Sequence, residues 1–459
     1  MKFYQDLVAV GDNEQARIGF VFSAIRAHKE TEAYHWAKIA NDYARQQNTT
    51  IIEYQKLLYT ISGKAVPDNY SANYKLCSNF FDRFITQLNQ YLLGNGVTFG
   101  EESTAERLGD DFDYKIQDAG YTALCGGMSF GFWNLDHLEV FGLCEFAPLY
   151  DEDNGALRAG IRFWQLADDK PLRAILYEED GVTEYIWNRR QNEKQEYELY
   201  GEVYKEKTAY ITKYAFSEAD GLRIYDGQNY EKFPIIPLYA NRFKQSELVG
   251  MRENIDAYDL IKSGFANDLD DASQIYWTIT NAGGMDDIDL TKFLERLKTV
   301  KATTLDNQEQ AQAHTIDVPY LGREAILERL RSDMYDDFMA LDTKAISGGA
   351  ITATQIQASY EPLNQKTDKF EYQVTLFIKG ILELLGIDDM PTYTRSTIVN
   401  KSEEIGLVLQ SAMFLTPEYC TEKIMTLLGD ADQVEDVLNE IKRNTNTGMG
   451  EETEEETEE

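Results

Sequence analysis

Apolar side chains recur along this chain with two different periods, and the changes of period divide it into regions. Up to about residue 62 the spacing is helical. Phe20, Ala24 and Ala27, then Trp36, Ile39, Ala40 and Tyr43, fall three or four apart with no proline among them. A glycine- and proline-bearing break covers 63–69. A stronger helical signal then spans 71–93, with Ser71 as the expected N-cap and Gly94-Asn95-Gly96 as the stop. Its stripe is Leu76, Phe80, Phe84, Leu88 and Tyr91.

The region 97–243 opens with a predicted helix at 113–124 and then changes to short aromatic runs between glycine-bearing turns. Strands are expected at 130–133, 161–165, 174–177, 183–187, 210–214 and 222–225. Glu179-Asp180-Gly181 is a hairpin signal, and Ala219-Asp220-Gly221 is similar to it. The helical period returns over 246–271, where Met251, Ile255, Tyr258, Phe265 and Leu269 form a stripe. A compact mixed patch follows, strand-like at 276–280, helical at 290–297 and strand-like at 315–318.

Two long helices come next. The first, 322–341, carries Leu327, Leu330, Met334, Phe338 and Leu341 and would span roughly 30 Å at about 1.5 Å per residue. After a break at Ser347-Gly348-Gly349, the second runs from about 352 to 385. Its seam, Ile356, Tyr360, Leu363, Thr367, Phe370, Val374, Phe377, Ile381 and Leu384, alternates steps of four and three without a slip. Such a seam suits both core packing and contact with neighbouring copies. Pro362 lies inside it and predicts a kink, because its missing N–H frees the carbonyl near Ala358. The stretch 396–443 reads as two or three short helices broken at Thr416-Pro417 and Gly429. The last residues, 444–459, read as disordered, since seven of the nine residues 451–459 are acidic. The fold class expected from this pattern is α+β, mainly helical.

Charge changes the functional picture. With 79 acids against 44 Lys and Arg, the formal net charge is −35. Solubility is the ordinary reading of such a surplus. A protein that grips a phosphate backbone presents a basic face, and no basic run appears here. Either nucleic acid is absent, or it is handled without being gripped. Cys77, Cys125, Cys144 and Cys420 form no CxxC pair and read as reduced core thiols of a cytoplasmic protein. The opening MKFYQDLVAVGDNE lacks an apolar signal region, and no stretch approaches 18 uncharged apolar residues, so neither a signal peptide nor a membrane span is expected.

The search for catalytic constellations returns little. No GxxxxGK[ST] occurs, and the glycine-rich run Gly126-Gly127-Met128-Ser129-Phe130-Gly131 lacks the lysine of a phosphate loop, so it reads as tight turns. His28, His35, His137 and His314 form no HExxH and no Cys/His metal spacing; core or surface placement is expected for them. There is no GxSxG elbow. Acid pairs such as Asp110-Asp111 and Asp286-Asp287 would suit a glycosidase cleft, but in so acidic a chain they arise by chance. No catalytic residue, metal or cofactor is expected. A glycosidase-like enzyme and a ring-forming virion protein that never touches DNA stand as alternatives to the reading that follows.

At 232–271 the sequence KFPIIPLYANRFKQSELVGMRENIDAYDLIKSGFANDLDD resembles the portal proteins of tailed bacteriophages, the head-to-tail connectors, and among them those of siphophages of Gram-positive hosts. The matching residues are Pro234, Pro237, Asn241, Ser246, Ile255-Asp256-Ala257-Tyr258-Asp259 and Ser263. Three further blocks agree in order: 73–99, 123–134, and 346–371 with its Ser347-Gly348-Gly349-Ala350. The resemblance covers about 73–385.

It implies a portal-type subunit with a wing at 1–245, a first stem helix at 246–272, a clip at 273–321 and a second stem helix at 322–342. A tunnel loop at 343–351, a kinked wing helix at 352–388, a helical crown at 389–443 and the acidic tail at 444–459 complete it. Thr343, Lys344, Ala345, Ile346, Ser347, Gly348 and Gly349 would then face DNA, with Lys344 as the single cation among them. The implied partners are further copies of the chain in a ring, usually dodecameric, and the double-stranded DNA passing through it. A large terminase, an adaptor or head-completion protein, and the major capsid and scaffold proteins are implied as well. The implied place is the capsid vertex of the virion, with assembly in the host cytoplasm. An acidic lining fits that role, since it repels a duplex within a Debye length of about 8–10 Å.

Overall fold

The computed structural model describes residues 1–59, 63–68, 71–191, 197–216, 223–272, 276–280, 310–314, 320–346, 353–396 and 401–429, with a few positions between 434 and 441. The chain divides into two units, residues 1–340 with 365–394, and residues 341–364 with 395–459.

The first unit begins with helices α1 (Tyr4–Val10), α2 (Glu14–Lys29), α3 (Glu32–Ala44) and α4 (Thr49–Ile52) and a hairpin of β1 (Leu57–Tyr59) with β2 (Ala65–Pro67). Side chains cap the two longer helices: Asn13 accepts from Ala16 N–H and Thr31 accepts from Tyr34 N–H. Helix α5 (Phe80–Leu93), β3 (Val97–Thr98), α6 (Glu102–Leu108) and α7 (Phe112–Gly126) follow. Ser71 does not cap a helix over 71–93, because the chain stays out of helix until Phe80; the reason lies in the site described below.

The strands then arrive in sequence: β4 (Met128–Asn134), β5 (His137–Gly142), β6 (Phe146–Tyr150), β7 (Leu157–Trp164), β8 (Leu172–Glu178), β9 (Gly181–Gln191), β10 (Tyr197–Thr208), β11 (Ile211–Phe216), β12 (Arg223–Gln228) and β13 (Ile235–Tyr239). All six predicted strands are present; β5, β6, β10 and β13 are additional. Strands β6 to β10 form an antiparallel meander in the order β10-β9-β8-β7-β6. Glu178 pairs with Gly181 across the predicted two-residue turn. Strands β11 and β12 pair as the second hairpin signal predicts, its turn residues lying outside the described ones. A three-stranded sheet, β13-β4-β5, completes the β part.

Alternation decides which face each strand buries. Ala159, Ile161 and Phe163 of β7 and Ala174 and Leu176 of β8 meet Ile18, Val21, Ala24 and Ile25 of α2 in one core. Phe130, Phe141, Phe146 and Tyr177 gather in a second core, with Phe130 and Phe146 at 4.5 Å between ring centroids. Gly160 makes that possible, since a Cβ there would lie 2.0 Å from Phe146 Cζ.

Helix α8 (Arg252–Ala272) starts six residues later than the pattern predicts, and of its expected stripe only Met251 and Ile255 are buried. Strands β14 (Tyr276–Thr280) and β15 (Gln310–His314) pair antiparallel. The first matches its expectation; the expected strand at 315–318 lies outside the described residues. The predicted helix at 290–297 lies outside the described residues. Helix α9 (Tyr320–Phe338) runs antiparallel to α8: Asn254 donates to Asp337 at 3.2 Å near one end, and Arg323 pairs with Asp268 near the other. Of its expected stripe, Met334 and Phe338 are buried, while Leu327 and Leu330 are only half-buried.

The single turn α10 (Thr343–Ile346) belongs to the second unit, and α11 (Ala353–Leu384) runs unbroken through Pro362. From Thr367 to Ile381 the heptad seam is buried in the core of its own unit, with Phe370, Val374, Phe377 and Ile381 at most 1% exposed. That part of the seam is therefore not left for a neighbouring copy. Small residues explain the close approach: a Cβ on Gly131 of β4 would meet the Phe377 ring at 2.4 Å, and one on Gly380 would meet Ile236 of β13 at 2.9 Å. Strand β16 (Thr392–Tyr393) pairs with β3. In the second unit α12 (Lys401–Ser411) and α13 (Pro417–Leu428) break where expected, with Thr416 capping, Pro417 in the first turn and Gly429 in the left-handed conformation. The acidic tail 444–459 lies outside the described residues.

Candidate functional site: the polar joint at the root of the helix pair

Asn241, Ser246, Asp256, Asp259 and Ser263, all among the residues that carry the resemblance, converge on one polar joint. β13 is an edge strand, so Pro237, which cannot donate to a ladder, sits there without cost. Asn241 shapes the turn that follows. Its amide donates to the Gln245 carbonyl (3.0 Å) and to Glu247 Oε1 (2.9 Å), while its oxygen accepts from Phe243 N–H (3.0 Å).

That turn closes the C-terminal end of α7. Glu247 N–H donates to the Leu124 carbonyl, Ser246 Oγ to the Cys125 carbonyl at 2.6 Å, and Ala240 N–H to the Gly127 carbonyl. Three carbonyls at or just past the helix end thus find partners from one loop. Gly127 has φ +93°, and a Cβ on it would lie 2.8 Å from the backbone at Gln245 and Ser246. The glycine-rich run 126–131 is therefore a helix stop and a strand start. Ser246 itself is outside α8 because its hydroxyl is committed to α7.

The second part of the joint is a ladder between a strap and a helix. Asp259, Ser263 and Asn267 stand four apart on α8, all buried. They accept the alternate N–H groups of an extended segment: Ser78 N–H to Asp259 Oδ1 (2.9 Å), Leu76 N–H to Ser263 Oγ (3.0 Å) and Tyr74 N–H to Asn267 Oδ1 (2.6 Å). This ladder is why 73–79 is not helical. The Asn48 amide donates to Asp259 Oδ2 and to the Ser78 carbonyl. One turn earlier on α8, Asp256 accepts from Tyr43 Oη and from Thr50 Oγ1 (2.7 Å). Burial raises the Asp259 carboxyl above its ordinary value, and its hydrogen bonds to Asn48 and Ser78 oppose that shift.

Of the residues singled out as DNA-facing, Thr343, Lys344, Ala345 and Ile346 form the turn α10 rather than an open loop. Lys344 N–H donates to Asp342 Oδ1 (3.0 Å), which starts that turn. Thr343 and Lys344 are exposed; Ser347, Gly348 and Gly349 lie outside the described residues. Pro362 is exposed within α11. His28 is a core residue, its Nε2 2.8 Å from the Leu143 carbonyl, and burial lowers its pKa. No group of three or more His, Cys, Asp or Glu that could hold a metal occurs among the described residues. Among them, too, no helix is long and apolar enough to cross a membrane.

Sequence reasoning marked Asp259 and Ser263 only by resemblance and missed Asn48, Ser78 and Asn267. One signal was available: three small polar residues at steps of four, in register with Ile255, on a helix whose inner face should be apolar.

The chain matches the family described as phage portal protein, SPP1 Gp6-like, over residues 170–447, and it belongs to that family. It is 26% identical over 382 residues to the portal protein of Clostridium phage phiCD119, covering 74% of this chain and 79% of the relative. It is 23% identical over 390 residues to the portal protein of Bacillus phage SPP1, covering 78% and 73%. Among solved structures it is similar to a chain of the virion of a native gene transfer agent particle, at 10% identity and TM-score 0.45, covering 76% of this chain and 89% of that one. The chain is thus a virion protein of the capsid vertex, a portal-ring subunit with a role in DNA packaging.

Proposed function

We propose that twelve copies form a ring and that residues 343–351 of each face the DNA in its channel as tunnel loops. The family match across 170–447, which runs through both long helices and the segment between them, supports this reading. In it, the strand pair β14/β15 belongs to a clip that binds an adaptor or head-completion protein. A large terminase docks on the ring during packaging and supplies the ATP hydrolysis, the ring itself being no enzyme. Major capsid and scaffold proteins surround it, and assembly takes place in the host cytoplasm. Pro362 kinks α11, so that its first turns lean toward the channel.

The net charge of −35 per copy favours sliding over gripping. A standing set of lysine–phosphate contacts would release counterions and hold the duplex. One exposed Lys344 per copy makes contacts that are weak and salt-screened. Deleting residues 346–349 tests the reading. Rings seen by negative stain should be intact, while packaging or retention of DNA falls, and Lys344→Ala should act in the same direction more mildly. Normal packaging by rings without the loop would reject the channel-facing role.

A further inference from the structure

Where the strap at 73–79 turns into α5, it borders a groove of about 660 Å³ between the first turns of α5 and the middle of α8. All of its lining residues belong to the first unit. Two of them are aromatic and fixed by each other: Phe80 meets Tyr258 edge-on at 5.0 Å between ring centroids. Tyr335 stands behind, 6.5 Å from Phe80.

Two cations stand over these rings, one from each helix. Lys262 Nζ lies 5.9 Å from the Tyr258 centroid, and Arg83 Cζ lies 5.8 Å from the Tyr335 centroid. Attraction to a ring at that distance and exposure is weak. Neither cation forms an ion pair among the described residues. The lining holds one carboxylate, Asp82, and it is already engaged, accepting from Tyr121 Oη at 2.7 Å and from the Asn79 amide at 3.1 Å. Asp259 feels the charge of Lys262, but its oxygens accept from Asn48 and Ser78 in the joint. The rest of the lining is uncharged. The groove is thus a cationic place on a strongly anionic protein.

Ring closure supplies its occupant. Each copy carries −35, so copies repel one another. A closed ring joins two unlike faces of each copy. On so acidic a chain, one of those faces must bring cations to the other's acids. We infer that this groove receives exposed carboxylates of the neighbouring copy, gripped by Arg83 from α5 and Lys262 from α8. A DNA phosphate fits less well, because two cations in a groove do not make the basic stripe that follows a backbone. The inference rests on the ring of copies, and neither on its number nor on the loop at 343–351.

Carbodiimide coupling on assembled full-length rings tests this, since it joins a lysine to a carboxylate in direct contact with it. Rings mixed from isotopically light and heavy chains tell neighbour from self. Lys262 should couple to an acidic peptide, and the coupled pairs should mix light and heavy chains. Coupling within one chain only, or none at Lys262, would overturn the inference. The neutral pair Arg83→Gln with Lys262→Gln should need about tenfold more protein to assemble, while the unassembled chain melts as wild type does. Arg83→Lys with Lys262→Arg keeps both charges and should assemble normally. Unaltered assembly of the neutral pair, or an equal loss in the charge-keeping pair, would also overturn it. So would duplex DNA binding by wild-type rings that the neutral pair abolishes, which would assign the groove to phosphate. Should the neutral pair fail to fold, the coupling on wild-type rings decides alone. Rings that form without the coupling reject the groove and leave the ring, whereas normal packaging by rings lacking 346–349 rejects the loop and leaves the groove.

Discussion

Phe146 and Asp259 are both fully buried in the first unit, yet opposite means hold them. Phe146 lies among Phe130, Phe141 and Tyr177, where burial of ring surface supplies the free energy and no contact is directional beyond ring packing. Asp259 lies between a strap and a short helix, where each contact is a hydrogen bond with a fixed partner and direction. The sheet core can therefore be dense without being addressed to any particular partner. The joint at α8 gains little net energy per bond, about 1 kcal/mol, but it permits only one register of strap on helix.

The largest effect expected is in the sheet core. Phe146→Ala should cost about 3–5 kcal/mol, the transfer term plus the cavity left beside Gly160. Denaturant unfolding of the purified protein should show it as a large drop in midpoint. A loss under about 1 kcal/mol would mean that the core collapses around the gap, and the contrast drawn here would fail.

At the joint the expected effect is smaller and more local. Asp259→Ala strands Ser78 N–H and one of the two hydrogens of the Asn48 amide and should cost about 2–3 kcal/mol. Ser263→Ala, which strands only Leu76 N–H, should cost about 1 kcal/mol. Exchange at the amides of Ser78 and Leu76 should rise well before that of β7 and β8. If Asp259→Ala instead loosened both regions alike, the joint would be one more part of the core.

The same contrast explains what could be read from sequence. Elements whose stability comes from burying a face announce themselves through period, which is why α7, α11, the runs in β4, β7, β8 and β9 and the breaks at Thr416-Pro417 and Gly429 all stood out. The strap did not. Leu76 continues the four-and-three spacing of Phe80 and Phe84, so local pattern extends the helix back past its true start. Only three side chains more than 180 positions away decide otherwise. Strand β10 was missed for another reason: Tyr197, Leu199 and Val203 alternate, but Gly201 interrupts them and Tyr200 and Tyr204 put apolar rings on the opposite face, so no single buried face stands out. The late start of α8 likewise depends on a hydroxyl bond from Ser246 to the end of another helix. Lys344 could be named from sequence, but that it lies in a helical turn depends on Asp342 accepting its N–H.

Two carboxylates extend the comparison to pH, where the smallest effect is expected. Asp259 is raised, chiefly by burial. A raised acid binds its proton more readily folded than unfolded, so its contribution to stability is present at low pH and is lost as pH rises through the folded value. Asp389 is the reverse. It is fully solvent-facing, and it accepts from Thr104 Oγ1 (2.7 Å) and from the N–H groups of Met390, Glu101 and Gly100, which bring it down to about 2. Its contribution is present above the unfolded value and is lost as pH falls toward about 2. Melting temperatures of wild type, Asp259→Asn and Asp389→Asn between pH 7 and pH 3 should therefore diverge in opposite senses. On acidification wild type should gain relative to Asp259→Asn and lose relative to Asp389→Asn. Parallel curves for Asp259→Asn would mean that its hydrogen bonds offset burial, and that the joint tolerates a charge as easily as the surface does.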